Sequence, residues 1–268
     1  MLLHGFTGDS TTWAHLGSEL GDERPVHGID LVGHGRSEAP VAAAAYTMAA
    51  TIRSVVRAVS DLGSALPESA PLAPGPVPSS HWLGYSMGGR VALSLALAEP
   101  GAVASLVLVG ASPGLADPVA RAARVAADTT LADAVERDGL EAFVDQWMRH
   151  PLFASQARLG PDFLAGARAQ RLRNRAHALA HTLRGMGTGA MPPLWDRLDE
   201  VRVPVLLVHG ALDGKFAALA HDMATRLPDA RVLAVPDAGH AVHVEAPAAL
   251  AAAVRGFLRQ VDPPRGGM

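Results

Sequence analysis

Gly84-Tyr85-Ser86-Met87-Gly88, running on into Gly89-Arg90, lies between a short apolar run, His81-Trp82-Leu83, and a helical stretch from Val91 to Glu99 that Pro100 stops. A serine between glycines at this spacing, with a strand before it and a helix after it, is the nucleophile-elbow pattern. The reason is steric. The turn is so tight that Ser86 must take a strained backbone conformation, and side chains at Gly84 and Gly88 would collide with neighbouring elements. The strain holds the Ser86 hydroxyl out at the top of a sheet. The helix that begins there turns unpaired N–H groups and the positive end of its dipole toward any anion formed nearby. A glycine-rich turn with an incidental serine is the alternative, and the rest of the chain discriminates between the two.

An elbow serine takes its partners in the chain order serine, acid, histidine. Val203-Pro204-Val205-Leu206-Leu207-Val208 reads as a buried parallel strand that empties into His209-Gly210-Ala211-Leu212-Asp213. An acid just past a strand end lies on the ligand-binding edge of an open α/β sheet. Val232-Leu233-Ala234-Val235 is a further strand, and Pro236-Asp237-Ala238-Gly239-His240 follows it, so His240 arrives at the same edge. Ser86, Asp213 and His240 are therefore the candidate catalytic residues. His243 is the nearest rival base, but helical structure is about to start around it. Asp237 could replace Asp213 only if its loop folded back. His34, in Gly33-His34-Gly35-Arg36-Ser37, reads as a histidine that packs its loop. An oxyanion pocket would use two backbone N–H groups: that of Met87, after the serine, and one from the loop after an earlier strand. Leu2-Leu3-His4-Gly5-Phe6-Thr7-Gly8 is that loop, with Phe6 as the donor.

The chain opens at Met1 inside the strand that feeds this loop. A fold of this type normally has a β-hairpin and more of that strand upstream, so N-terminal strands are expected to be missing. A three-residue stump of strand is also expected to bury little apolar surface.

At 268 residues the chain can build a sizeable core. Short apolar strands alternating with amphipathic helical stretches argue for one mostly parallel α/β sheet flanked by helices. Zero cysteines exclude disulfides, thiolate metal sites and a cysteine nucleophile. A formal net charge of -3 gives no general attraction to nucleic acid or membrane. No apolar run reaches membrane-spanning length and no signal peptide is visible, so the expected compartment is the cytoplasm, without membrane insertion.

Residues 1–112 read as the first part of the core, with Thr47 to Leu66 a helix and 67–80 a proline-rich surface insertion. Ser105 to Gly110 is another buried strand. Residues 113–200 lack strand patterning and read as a helical cap inserted over the active-site edge. The core resumes over 201–268 and ends with a helix from Pro247 to about Gln260. Between Gln146 and Trp195 the cap carries seven arginines and no lysine against one acid, Asp162. Arg171-Leu172-Arg173-Asn174-Arg175 is the centre of this basicity, with Arg124 upstream. A solvated helix face accounts for most such runs, and Arg168, Arg171 and Arg175 fit it. Arg90 does not: one turn inside the elbow helix it should be partly buried near the pocket floor. Arginine's planar fork suits carboxylates and phosphates, so the expected substrate is small and carries several negative charges.

Gly84-Tyr85-Ser86-Met87-Gly88-Gly89-Arg90, Pro151-Leu152-Phe153-Ala154-Ser155, Leu183-Arg184-Gly185-Met186-Gly187-Thr188-Gly189 and Asp213-Gly214-Lys215-Phe216 together resemble one family of the α/β-hydrolase fold. It is the menaquinone-pathway 2-succinyl-6-hydroxy-2,4-cyclohexadiene-1-carboxylate synthase family. The likeness runs from His4 to the last helix; the proline-rich insertion and the absent first strands depart from it. The resemblance implies a lyase that eliminates pyruvate from 2-succinyl-5-enolpyruvyl-6-hydroxy-3-cyclohexene-1-carboxylate. It implies a small multi-carboxylate substrate, no cofactor and no metal. By matching position it makes Arg90, Arg124 and Arg173 carboxylate binders and Tyr85 and Trp147 pocket walls, Trp147 being equally readable as cap core. The residues alone stop earlier, at a serine-triad enzyme acting on an anionic carbonyl compound. A carboxylesterase or carbon–carbon hydrolase, and a non-catalytic binding protein on the same fold, remain open at this point.

Overall fold

The computed structural model describes residues 1–64 and 78–262. The proline-rich stretch falls almost wholly outside the described residues, and its last residue, Ser80, opens a strand. One sheet is formed by β1 (Leu2–Leu3), β2 (Gly28–Ile29), β3 (Ser80–Tyr85), β4 (Val103–Val109), β5 (Val205–Gly210) and β6 (Ala230–Val235). Its order is β2-β1-β3-β4-β5-β6, and every neighbouring pair is parallel.

Parallel strands covered on both faces read as continuous apolar runs. β4 (Val-Ala-Ser-Leu-Val-Leu-Val) and β5 (Val-Leu-Leu-Val-His-Gly) have that form, and β5 is buried throughout. Side chains alternate between the faces. Leu3, Leu106 and Leu108 join one core layer with α2 (Met48–Ser64), α3 (Met87–Ala98) and α8 (Gly214–Ala224). Leu2, Leu83, Val107 and Leu206 join the opposite layer with α1 (Ala14–Gly21) and α10 (Pro247–Val261). The helix α10 shows why it docks: Leu250, Ala251, Val254, Phe257 and Leu258 fall on one helical face, and all five are buried.

The short β1 buries more than the sequence suggests. It lies between β2 and β3, not at an edge, so Leu2 and Leu3 are only 5% and 0% exposed. Two leucines in the middle of a sheet are covered by strands on both sides and helices above and below.

The chain from β4 to β5 contains helices and no strand. These are α4 (Pro118–Asp138), α5 (Leu140–Met148), a 3-10 segment (Pro151–Leu159), α6 (Pro161–Arg171) and α7 (Ala176–Met186). Helices α4, α5 and α7 share an apolar cluster built on Val135, Phe143, Val144, Leu179 and Leu183, against which Phe6 of the sheet's own loop packs. A cavity remains between this cap and the C-terminal ends of the strands. Among the described residues no helix is long and apolar enough to cross a membrane.

Candidate active site

The chain leaves β1 toward β2 on one side, while β3 and the later strands continue on the other. The crevice outside the carboxyl ends of β1 and β3 is therefore the switch point at which open α/β sheets bind ligands. Two loops emerge there side by side: Gly5 to Asp9 after β1, and the turn at Ser86 after β3.

Ser86 has φ 50° and ψ −106°, and α3 starts at the next residue. A Cβ on Gly84 would strike the Gly88 carbonyl, and one on Gly88 would strike the Leu3 carbonyl, so both glycines are sterically required. The strain is held by backbone bonds on both sides: Ser86 N–H donates to Val109 O at 2.9 Å, and Arg90 N–H donates to Ser86 O at 3.1 Å.

His240 Nδ1 lies 2.8 Å from Asp213 Oδ2, and its Nε2 lies 3.2 Å from Ser86 Oγ. A carboxylate can only accept, so Nδ1 carries the proton and Nε2 is free to accept from the serine hydroxyl. Asp213 also caps α8, taking the Phe216 N–H on Oδ1 at 3.2 Å. Both of its oxygens are thus committed, which fixes its orientation. The His240 loop is held by a residue that sequence reading passed over. Glu245 accepts from Gly239 N–H at 2.9 Å and Ala241 N–H at 3.2 Å, bracketing His240, and is paired with Arg158 of the cap at 3.2 Å. The only sequence signal is an acid five residues after His240; the structure places it, buried, in the short helix α9 (Val242–Glu245). The rivals stand aside. Asp237 is exposed. His243 is buried against Trp13 and Tyr85 with ring centroids 5.0 and 4.2 Å away. Burial, with His240 and Arg171 adding to it, pushes its pKa down to about 3. His34 is fully buried, and burial with the neighbouring His4 lowers it to about 3.

The loop after β1 is a tight turn in which Gly8 N–H donates to Gly5 O at 3.0 Å. His4 Nε2 accepts from Leu31 N–H at 3.0 Å, so its Nδ1 carries the proton and donates to the same Gly5 carbonyl at 2.8 Å. With that carbonyl pinned away, planarity of the trans peptide sends the Phe6 N–H the opposite way. Phe6 lines the cavity, as does Met87, whose N–H is one of the unpaired donors at the start of α3. Thr7, next in the turn, has φ 67°, a left-handed conformation that disfavours a β-branched residue by roughly 1–2 kcal/mol.

The cavity above Ser86 and His240 has a volume of about 730 Å³. Its aromatic walls are Phe6, Tyr85, Trp147, Phe153 and Phe216. Trp147 serves both readings at once: its ring stacks on Phe143 of the cap cluster at 5.8 Å and meets Phe6 edge-on at 5.3 Å. Arg90, Arg124 and Lys215 line the same space. Arg90 donates to the Met186 carbonyl and, among the described residues, makes no ion pair. Burial chiefly, with Arg124 adding to it, lowers its guanidinium to about 10, which leaves it charged at neutral pH. Arg124 uses Nε on Asp128 at 2.8 Å.

Arg173 does not line the cavity. It sits past the end of α6, with its side chain 55% exposed and its Nη2 2.7 Å from Asp9 Oδ2. Arg171, expected on a solvated face, is half-buried, while Arg173 is exposed. Closing the last turn of α6, it reaches into a second cavity of about 380 Å³ behind Tyr85. Its Nη1 donates to Ala167 O at 2.9 Å, and burial lowers its pKa. The two residues exchange roles because α6 ends at Arg171, a boundary that no proline or glycine marks. Lys215 has no assigned role in the sequence reading; its place two residues after the Asp213 cap, in the first turn of α8, is the signal that finds it. Among the described residues no cluster of acids and histidines could hold a metal ion.

The α/β hydrolase fold family matches residues 1–247 of the chain. A 2-succinyl-6-hydroxy-2,4-cyclohexadiene-1-carboxylate synthase of Serratia proteamaculans is 34% identical over 96% of this chain and 91% of its own length. A Bacillus subtilis protein provisionally given the same name is 42% identical over 97% of this chain and 89% of its own. The structure of MenH from S. aureus aligns with a TM-score of 0.86 at 32% identity, covering 97% of this chain and 92% of that one. Full-length likeness in sequence and in fold thus converges on one group, and the chain belongs to the α/β-hydrolase-fold family and, within it, to the 2-succinyl-6-hydroxy-2,4-cyclohexadiene-1-carboxylate synthases.

Proposed function

We propose that Ser86, His240 and Asp213 act in this chain as a base toward carbon, not as a nucleophile toward an ester. The protein is a carbon–oxygen lyase of menaquinone biosynthesis. It eliminates pyruvate from 2-succinyl-5-enolpyruvyl-6-hydroxy-3-cyclohexene-1-carboxylate and leaves the cyclohexadiene. The observation that carries the site reading is the cavity itself: Ser86 Oγ, within 3.2 Å of His240 Nε2, opens on a space lined by Arg90, Arg124 and Lys215.

The steps follow from the hydrogen bonds. His240 Nε2 draws the Ser86 hydroxyl proton, and the serine oxygen takes the ring proton next to the succinyl carbonyl. Asp213 holds the imidazole in the accepting tautomer and stabilises the imidazolium that results. The electron pair of the broken C–H bond passes through the enolate of the succinyl ketone, whose oxygen the Phe6 and Met87 N–H groups stabilise. It then forms the ring double bond between carbons 2 and 3, while the pair of the existing 3,4 double bond moves between carbons 4 and 5 and the C–O bond at carbon 5 to enolpyruvate breaks. His240 returns its proton to the leaving group, which becomes pyruvate. The substrate carries three carboxylates, which Arg90, Arg124 and Lys215 attract in the main cavity, with Arg171 behind Tyr85. Tyr85 remains a neutral phenol, because burial raises its pKa.

Deuterium at the ring carbon next to the succinyl carbonyl tests the assignment. A primary isotope effect on single-turnover diene formation is expected, with no mass added to the protein during turnover. An acyl adduct on Ser86 with no isotope effect would assign the triad to nucleophilic chemistry.

A further inference from the structure

The cap touches the oxyanion loop through hydrogen bonds that the proposed chemistry does not use. Thr7, fully buried, presents its carbonyl to two cap side chains: Asn174 Nδ2 donates at 2.9 Å and Gln170 Nε2 at 3.2 Å. Asn174 is itself buried, and the same Nδ2 donates to Arg171 O at 2.9 Å, which ties the contact to the end of α6. Two residues along, Arg173 pairs with Asp9, whose other oxygen caps the next turn by accepting from Thr11 N–H at 3.1 Å. All of these contacts converge on residues 7–9, immediately after the Phe6 N–H.

Thr7 is the one residue of this turn with a β-branched side chain in the left-handed region. Such a residue would relax by rotating its flanking peptides unless its surroundings hold it. On the Phe6 side, the Gly5 carbonyl is fixed from within the loop by His4 Nδ1 and Gly8 N–H. On the far side, the Gly8 N–H of the Thr7–Gly8 peptide donates to Gly5 O, while the carbonyl of that same peptide is gripped from the cap. We propose that Gln170 and Asn174 are positioning residues of the oxyanion pocket, holding Thr7 in its strained conformation so that the Phe6 N–H points into the cavity. The pocket is then complete only while the cap is seated. This inference rests on Phe6 being an oxyanion donor, as given under Proposed function.

Strain supplies a test that a merely structural contact would not pass. Gln170→Ala/Asn174→Ala should lower kcat at least tenfold with KM changed less than threefold. Thr7→Gly, which takes a positive φ freely, should alone keep kcat within threefold of the parent and should restore most of kcat in the double variant. With [¹⁵N]phenylalanine labelling of the six phenylalanines, the Phe6 amide should exchange with solvent at least tenfold faster in the double variant and recover with Thr7→Gly. If the double variant does not fold, Gln170→Glu/Asn174→Asp removes both donors at nearly constant volume and should give the same pattern. Unchanged kcat and exchange, or a loss that Thr7→Gly does not reverse, overturns the proposal. Should the parent protein fail to convert the enolpyruvyl substrate, the function reading falls, and the Phe6 exchange still decides the clamp.

Discussion

His240 is held at five points: Asp213 on one ring nitrogen, Ser86 on the other, the Phe216 ring 4.4 Å away, and Glu245 on the backbone N–H groups before and after it. Glu245→Gln keeps size but gives up one acceptor, so either Gly239 or Ala241 loses its partner. A buried N–H left unpaired costs about 1–3 kcal/mol, and here it sits beside the proposed base, His240. The expected outcome is a kcat reduced by one to two orders of magnitude with KM little changed, read from steady-state kinetics. An unaltered kcat would mean that Glu245 only shapes the cap contact with Arg158. The arginines separate in the same way. Arg90→Ala should weaken substrate binding by about 1.5–3 kcal/mol if it makes one charge-assisted hydrogen bond. Arg173→Ala, which removes a contact to Asp9 outside the cavity, should leave the Kd within a factor of about three. Titration of Ser86→Ala protein carrying each change distinguishes them; equal losses from both would put Arg173 back at the substrate. Ser86, Asp213 and His240 were legible because each lies on the turn or loop after a strand and their chain order is constrained. The choice between Arg171 and Arg173 was not, since it depends on where one helix stops.

The elbow shows what an element contributes beyond its residues. The helix α3 can begin at Met87 only because Gly84 of β3 and Gly88 of α3 carry no Cβ, which lets α3 lie against the backbones of β3 and β1. Gly88→Ala would push a methyl group onto the Leu3 carbonyl. Overpacking of this kind typically costs 1–3 kcal/mol, and the displaced strand carries the loop of the proposed oxyanion donor, Phe6. A lowered denaturation midpoint together with loss of turnover is expected; full stability and activity would show that the approach of α3 to β1 is looser than described. The strands β3 to β6 could be read from sequence because burial on both faces makes them continuous apolar runs. The two-residue β2 and the helix α1 left no comparable pattern, and the burial of β1 depends on its position in the sheet, which its own two leucines do not encode.

Across the whole molecule, the cap and sheet enclose histidines that must stay neutral. His34 and His243 are both lowered to about 3 by burial, and burial lowers His4 as well. Their ordinary pKa is near 6.5. Between that value and about 3, the unfolded chain binds protons that the folded chain excludes, so stability falls as pH falls. The slope approaches roughly 1.4 kcal/mol per pH unit for each such histidine. Urea midpoints measured from pH 7.5 down to pH 4.5 should drop steadily, and His243→Phe should flatten the curve. A midpoint independent of pH over that range would show that these rings are protonated in the folded state. At this scale sequence reading placed the helices between the strands that bear Ser86 and Asp213, but not the hydrogen bonds from Gln170 and Asn174 to Thr7. Those join residues more than 160 positions apart, and no local pattern announces them.

The most direct test of the account follows the enolpyruvyl substrate with purified protein, recording diene absorbance and pyruvate release together, beside Ser86→Ala. Both products are expected to appear at the same rate, and Ser86→Ala to abolish both while still binding substrate. Diene formation that persists undiminished in Ser86→Ala, or ester hydrolysis through an acyl-enzyme in place of pyruvate release, would contradict it.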